Sequence, residues 1–236
     1  MKMSGNTILI TGGATGIGYS MAKYFSARDN EVVICGRRID RLEQAKKELP
    51  GLHTVQCDVT NPDERKKLLT YMNEHFPNMN ILINNAGIQR DIDLSKGISE
   101  LESGESEILV NFEAPVYLSA LFNPMITGKD NAAIVHVSSG LAFRAEYSIG
   151  VPLYCATKAA IHAFSLTQRK QLTPLGIKVI ELIPPAVISE LNPEGRKKRN
   201  SAVSLYMISS DDYVESALSK MEQGEDEIRD EQKRKL

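Results

Sequence analysis

Short apolar runs alternate with longer amphipathic stretches along this chain. The apolar runs fall at 7–11, 31–35, 52–56, 81–84, 133–138 and 178–183. Several of them, such as Val32-Val33-Ile34 and Ile81-Leu82-Ile83, are continuously apolar. A strand with no polar face must be covered on both faces, the pattern of a parallel sheet between helical layers. The stretches between the runs read as helices at 16–28, 38–49, 62–75, 98–121 and 153–172. Strict alternation of strand and helix predicts an α/β, doubly wound parallel sheet whose ligand lies past the carboxyl ends of the strands.

No internal repeat and no Pro-, Gly- or Ser-rich linker interrupts the 236 residues, so one domain over 1–236 is expected. Two stretches stand apart. Residues 192–200 are polar and basic, and residues 224–236 are almost all charged, which predicts a solvated helix or a frayed tail.

Composition narrows the function. The formal net charge of -2 provides no global attraction to nucleic acid or to an anionic membrane. No run approaches the ~20 apolar residues of a membrane span, and residues 1–6 lack the apolar core of a signal peptide. Cys35, Cys57 and Cys155 are odd in number and widely spaced, so a reducing cytoplasm is the expected location. His53, His75, His136 and His162 are scattered without ligand spacing, and no metal site is expected.

The first strand runs into Thr11-Gly12-Gly13-Ala14-Thr15-Gly16-Ile17-Gly18, a glycine-rich turn that opens a helix. Missing side chains let backbone N–H groups reach a pyrophosphate, and the helix N-terminus favours its charge. No Lys-[Ser/Thr] follows, so this is not an ATP or GTP loop. Where a ribose-binding carboxylate would select NAD(H), the second strand ends Cys35-Gly36-Arg37-Arg38. A guanidinium pairs with a 2′-phosphate, so NADP(H) is favoured over NAD(H). Asp58 and Val59 after the third strand are candidates for the adenine, although Asp58 equally suits a helix cap. Asn85, Ala86 and Gly87 after the fourth are candidates for the ribose beside the nicotinamide.

Tyr154 and Lys158 stand at i, i+4 on one helical face. A nearby cation favours the phenolate and lowers a tyrosine pKa from its ordinary ~10, fitting Tyr154 for proton transfer to or from a substrate oxygen. Ser138 and Ser139 end the preceding strand, where a hydroxyl can steady that oxygen. Asn111 lies within a predicted helix, where a polar side chain suits bonding to backbone and holding a water near Lys158.

TGGATGIG (11–18), NNAG (84–87), Asn111, Ser138-Ser139 and YCATK (154–158) occur in this order, and over residues 5–190 the chain resembles the short-chain dehydrogenase/reductase family. Ser138 to Phe143 and Leu182 to Val187 resemble its DltE-like bacterial branch. The resemblance implies a Rossmann-type sheet of at least six strands in the order 3-2-1-4-5-6, with helices on both faces. It further implies a nicotinamide cofactor, a small carbonyl or alcohol substrate, and a tetrad of Asn111, Ser139, Tyr154 and Lys158. Gly12, Thr15, Gly16, Ile17, Gly18, Pro184 and Val187 are then expected at the cofactor, and residues 191–206 at the place of a substrate lid. Pro184-Pro185 replaces the family's Pro-Gly, which leaves a Ser189 contact doubtful, and the family's seventh strand is not recognisable. A homodimer through 98–121 and 153–172 is expected. Leu141, Phe143, Val151, Pro152 and Leu153, with Met125 or Tyr206, are candidates for an apolar pocket. The alternative function is a non-catalytic NADP(H)-binding regulator. A serine hydrolase is disfavoured because His136 stands where the first glycine of a nucleophile elbow belongs.

Overall fold

The computed structural model describes residues 1–198 and 207–229. Its strands are β1 (Thr7–Thr11), β2 (Glu31–Gly36), β3 (His53–Gln56), β4 (Ile81–Asn84), β5 (Ala133–Val137), β6 (Lys178–Ile183) and β7 (Glu227–Arg229). They form one parallel sheet in the order β3-β2-β1-β4-β5-β6-β7. The helices are α1 (Gly16–Ser26), α2 (Ile39–Glu48), α3 (Pro62–His75), α4 (Ser99–Glu102), α5 (Ala114–Ile126), α6 (Pro152–Leu172), α7 (Pro193–Lys198) and α8 (Ser210–Gln223).

Alternate residues of each central strand feed two cores. On one face Ile8, Ile10, Ile34, Ile83, Val135 and Ile180 pack under α1, α2 and α8. On the other face Leu9, Val33, Leu82, Ile134 and Val179 pack under α3 and α5, with Leu172 of α6 joining them. Apolar burial on both faces explains why the central runs contain no polar alternation.

Two expectations are corrected. Residues 98–121 do not form one helix. The chain makes α4, then passes through Ser103 and Gly104 before a π-helical turn at Leu109–Glu113 leads into α5. Pro115 supplies the physical reason for that turn. It has no N–H and its ring crowds the carbonyl four residues back, so the regular bond to Asn111 cannot form. The Ala114 N–H bonds Leu109 instead, five residues back.

The C-terminal segment is the second correction. Residues 227–229 are not a frayed tail: β7 pairs with β6 in register, and Ile228 is fully buried. The strand has one apolar residue among charges, too weak a signal to read locally. Helix α8 was also not expected. It buries Tyr213, Val214, Ala217, Leu218 and Met221 against α1 and the sheet, and Ser209 caps it by accepting the Asp212 N–H. Residues 230–236, Tyr206 and positions 199–206 of the expected lid lie outside the described residues.

Leu218 is fully buried where α8 meets the first core. Leu218→Ala is expected to cost about 2–5 kcal/mol, measured as a lowered urea midpoint with an unchanged slope. A loss below about 0.5 kcal/mol would mean that α8 does not close this core.

Candidate active site

Past the carboxyl ends of the strands lies a crevice of about 440 Å³. Its floor is the turn between β1 and α1, held by side chains from the end of β4. Thr11 Oγ1 accepts the N–H groups of Asn85 and Ala86, each at 3.0 Å. The Asn85 amide donates to the carbonyls of Thr11 and Gly12, again at 3.0 Å. Gly12 has φ +64, and a methyl group there would meet Ala86 Cα at 2.9 Å. At Gly18 a methyl would meet the Gly12 carbonyl oxygen at 2.3 Å. These glycines are required by close approach, and Gly18 serves the packing of helix on turn rather than the crevice wall.

Gly12, Thr15, Gly16, Ile17, Asn85, Ala86 and Gly87 line the crevice on this side. Arg37, Arg38, Asp58 and Val59 line its outer end. Both guanidinium groups are already met by acids. Arg37 pairs with Glu105, which raises its pKa further. Arg38 donates to Glu190 at 3.0 Å, and Arg41 reaches the other oxygen of Glu190 at 2.9 Å. Asp58 is a turn former: its Oδ1 accepts the Thr60 N–H at 2.9 Å and the Thr60 hydroxyl at 2.8 Å. The cap of α3 is Asn61, not Asp58.

The opposite wall contains Ser138, Tyr154, Lys158 and Pro184. Lys158 is 4% exposed, and its Nζ donates to the Val137 carbonyl at 2.8 Å. It lies 5.7 Å from the centroid of the Tyr154 ring. Burial pulls its pKa down to about 8, partly opposed by the negative charge of Glu181. Asn111 sits in the π-helical turn, 1% exposed. Its amide donates to the Ile88 carbonyl and to Thr157, and its oxygen accepts the Ile88 N–H at 2.8 Å. A methyl group at Gly87 would lie 3.4 Å from Asn111 Oδ1 and 3.6 Å from Lys158 Nζ. Gly87 therefore keeps the space between the Asn111 and Lys158 side chains open.

The two serines differ. The Ser138 hydroxyl donates to the Leu182 carbonyl at 3.4 Å. Ser139 lies one residue on, outside the residues that line the crevice, and its oxygen accepts the Leu141 N–H at 3.2 Å.

Some expected residues are placed elsewhere. Val187 is buried in the first core and bridges to Ile208, off the crevice wall. Met125 packs on the second core. Phe143 packs edge-on against His162, whereas Leu141 and Val151 do pack beside Tyr154. Sequence reasoning missed Thr11 and Asn85 as clamps, and Glu105 and Glu190 as partners of the arginines. It doubted Ser189, which lines the crevice together with Glu190, Leu191 and Asn192. Of these, only Thr11 and Asn85 were flagged locally, by lying inside the two glycine motifs.

The family model for short chain dehydrogenase matches residues 6–200. An uncharacterized oxidoreductase DltE of Bacillus subtilis (strain 168) is 48% identical over 233 residues, 98% of this chain and 90% of the relative. A short-chain dehydrogenase from Sphingobium yanoikuyae, solved in complex with NADPH, superimposes with TM-score 0.79 at 28% identity, over 94% of this chain and 86% of that one. The closed form of a serine dehydrogenase complexed with NADP+ gives TM-score 0.79 at 25% identity, over 90% and 88%.

The depressed pKa of Lys158 has a stability signature. Below pH 8 the amine is charged in native and unfolded chains alike. Between about 8 and the ordinary 10.5 the unfolded chain holds a proton that the native chain has released, so stability rises with pH. Lys158→Met removes this rise. Urea unfolding at pH 7.5 and 10 is expected to show wild type gaining on the variant. Parallel pH dependences would mean that Lys158 titrates as an exposed lysine does.

Proposed function

Since the chain belongs to the short chain dehydrogenase family, we propose that it is an NADP(H)-dependent oxidoreductase acting on the CH–OH group of a small alcohol, or on the corresponding carbonyl. The observation that carries this reading is the convergence of Tyr154, Lys158 and the glycine-lined turn on one crevice.

The residues present fit a dinucleotide. The turn at Gly12 and Gly16 lacks side chains where a pyrophosphate would lie, and its backbone opens α1, whose N-terminus favours anions. Asn85, Ala86 and Gly87 offer backbone to a ribose at the other end, with Pro184 facing them. Arg37 and Arg38 offer guanidinium groups at the outer end, each exchangeable from its acidic partner, and no carboxylate ends β2 to repel a 2′-phosphate. The bound nicotinamide would supply or accept the hydride.

The chain's own residues then manage the proton. Tyr154 is the general acid/base, giving a proton to a carbonyl oxygen or taking one from an alcohol. Lys158, pinned to Val137, favours the phenolate. Ser139, whose oxygen accepts the Leu141 N–H, would donate its hydroxyl proton to the substrate oxygen. Asn111 is a positioning residue that fixes the backbone at Ile88. Leu191 and Asn192 on the crevice wall support residues 191–206 as the substrate lid.

The exposed Ile108 and Leu109 at the start of the π-helical turn and Tyr117 on α5, with Leu166 on α6, support pairing of two copies in a homodimer. Three buried free cysteines support a cytoplasmic setting, and among the described residues no helix is long and apolar enough to cross a membrane. Both faces of one sheet covered by helices support reading residues 1–236 as one domain.

Tyr154→Phe is expected to lower turnover of NADPH with small aldehydes, ketones or diketones by about 10²–10⁴-fold, while fluorescence titration still shows NADPH bound. Normal turnover in this variant would overturn the mechanism. Cofactor binding by wild type without turnover on a broad carbonyl panel would favour a regulatory role. Arg37→Asp is expected to shift the ratio of kcat/KM for NADPH over NADH toward NADH by at least about tenfold, the loss of one charge-assisted phosphate contact. An unchanged ratio would remove Arg37 from the phosphate site.

A further inference from the structure

Beneath α6, one helical turn past Lys158, three side chains that are far apart in sequence meet. His162 follows Lys158 by four residues, so it lies on the same helical face about 6 Å further along the axis. Glu181 of β6 and Glu227 of β7 are register partners on adjacent parallel strands. One ligand atom from each of His162, Glu181 and Glu227 lies within 4.8 Å of the other two. None of the three lines the crevice.

Arg229 pairs with Glu227 and the charge of Lys158 acts on Glu181, yet the cluster keeps one buried acceptor unmet among the described residues. Two carboxylates side by side on one sheet face repel each other. Glu181 is 0% exposed, and the cost of burying its charge must be met by a partner. His162 Nδ1 reaches Glu181 Oε2 at 2.7 Å, but Glu181 Oε1 is buried with no hydrogen-bond partner among the described residues. A buried, unsatisfied carboxylate oxygen in a native protein calls for a ligand, water or ion. Arg229 does not supply it: its guanidinium donates to Glu227 Oε1 at 2.9 Å and lies over the Phe143 ring at 3.7 Å. Phe143 in turn packs edge-on against His162, centroids 4.6 Å apart. The cluster therefore has an aromatic wall, a buried carboxylate base and a partly accessible rim at His162 and Glu227.

We infer that His162, Glu181 and Glu227 bind a divalent first-row cation, zinc best of all. One imidazole nitrogen with two carboxylates suits zinc, which takes such ligands at about 2.0–2.2 Å and accepts three protein groups plus water. Ligand atoms at those bond lengths sit roughly 3.5 Å apart, so small side-chain rotations gather them. The cation neutralises the paired carboxylates and satisfies the orphan oxygen of Glu181. It also ties α6 to the strands β6 and β7 at the edge of the sheet.

The test is equilibrium dialysis of the full chain against ZnCl2, with bound zinc measured by mass spectrometry after removal of adventitious metal. Wild type is expected to hold one zinc more per chain than Glu227→Gln or His162→Gln, with affinity in each variant reduced by more than about tenfold. Glu227 and His162 are rim residues, and circular dichroism verifies that each variant is folded. Should His162→Gln not fold, Glu227→Gln and the visible absorption of Co²⁺ bound to wild type still decide. Tyr154→Phe is expected to bind zinc as wild type does, which separates this site from the proposed reaction. Equal zinc binding in wild type and the rim variants, or no zinc bound by wild type, would overturn the inference and leave His162 as a hydrogen-bond partner of Glu181 alone.

Discussion

The buried ammonium of Lys158 is the constraint on which the site depends. A cation withdrawn from water costs several kcal/mol unless partners replace its hydration. Lys158 meets that cost through the Val137 carbonyl at 2.8 Å and the field of Glu181. Because Val137 ends β5, the bond fixes α6 against the carboxyl edge of the sheet. Tyr154, one turn earlier, is thereby carried to the crevice wall. The same bond leaves the amine near the empty volume at Gly87, where a side chain would meet both Lys158 and Asn111.

The facing wall is built from absent side chains. The β1–α1 turn and the end of β4 approach so closely that backbone meets backbone, and Thr11 and Asn85 staple them with four hydrogen bonds. The outer end follows another logic. Arg37 and Arg38 are paired with Glu105 and Glu190, acids delivered by segments far away in sequence. An anion arriving there exchanges one exposed ion pair for another, a contest of modest energies in which geometry and the bidentate fit of guanidinium to phosphate decide.

A third feature is the polar layer between α6 and the strands β5 and β6. His136 is fully buried, held neutral by burial with its pKa down to about 4, and shares a hydrogen bond with Gln168. Its register partner is Glu181, which reaches His162. Apolar side chains would fill this layer at lower cost. The charge of buried Glu181 acts on Lys158, so the layer that supports the helix also tunes the electrostatic environment of the amine.

Local pattern determined the six long strands, the first three helices and α6. Continuous apolar runs and helical periodicity are written over neighbouring residues and survive in any tertiary context. Glycine spacing and the Tyr154–Lys158 interval likewise disclosed the crevice, because turn geometry and the helical repeat are short-range properties. The π turn within 98–121 follows locally from Pro115, but tertiary structure decided that it sets Asn111 against Ile88. Tertiary structure alone made a strand of 227–229, whose single apolar residue is stabilised only by β6 beside it. It also gathered His162, Glu181 and Glu227, and paired the arginines with Glu105 and Glu190. Such contacts join residues tens to more than a hundred positions apart, and nothing in the local chain specifies which distant side chain a folded sheet will bring alongside.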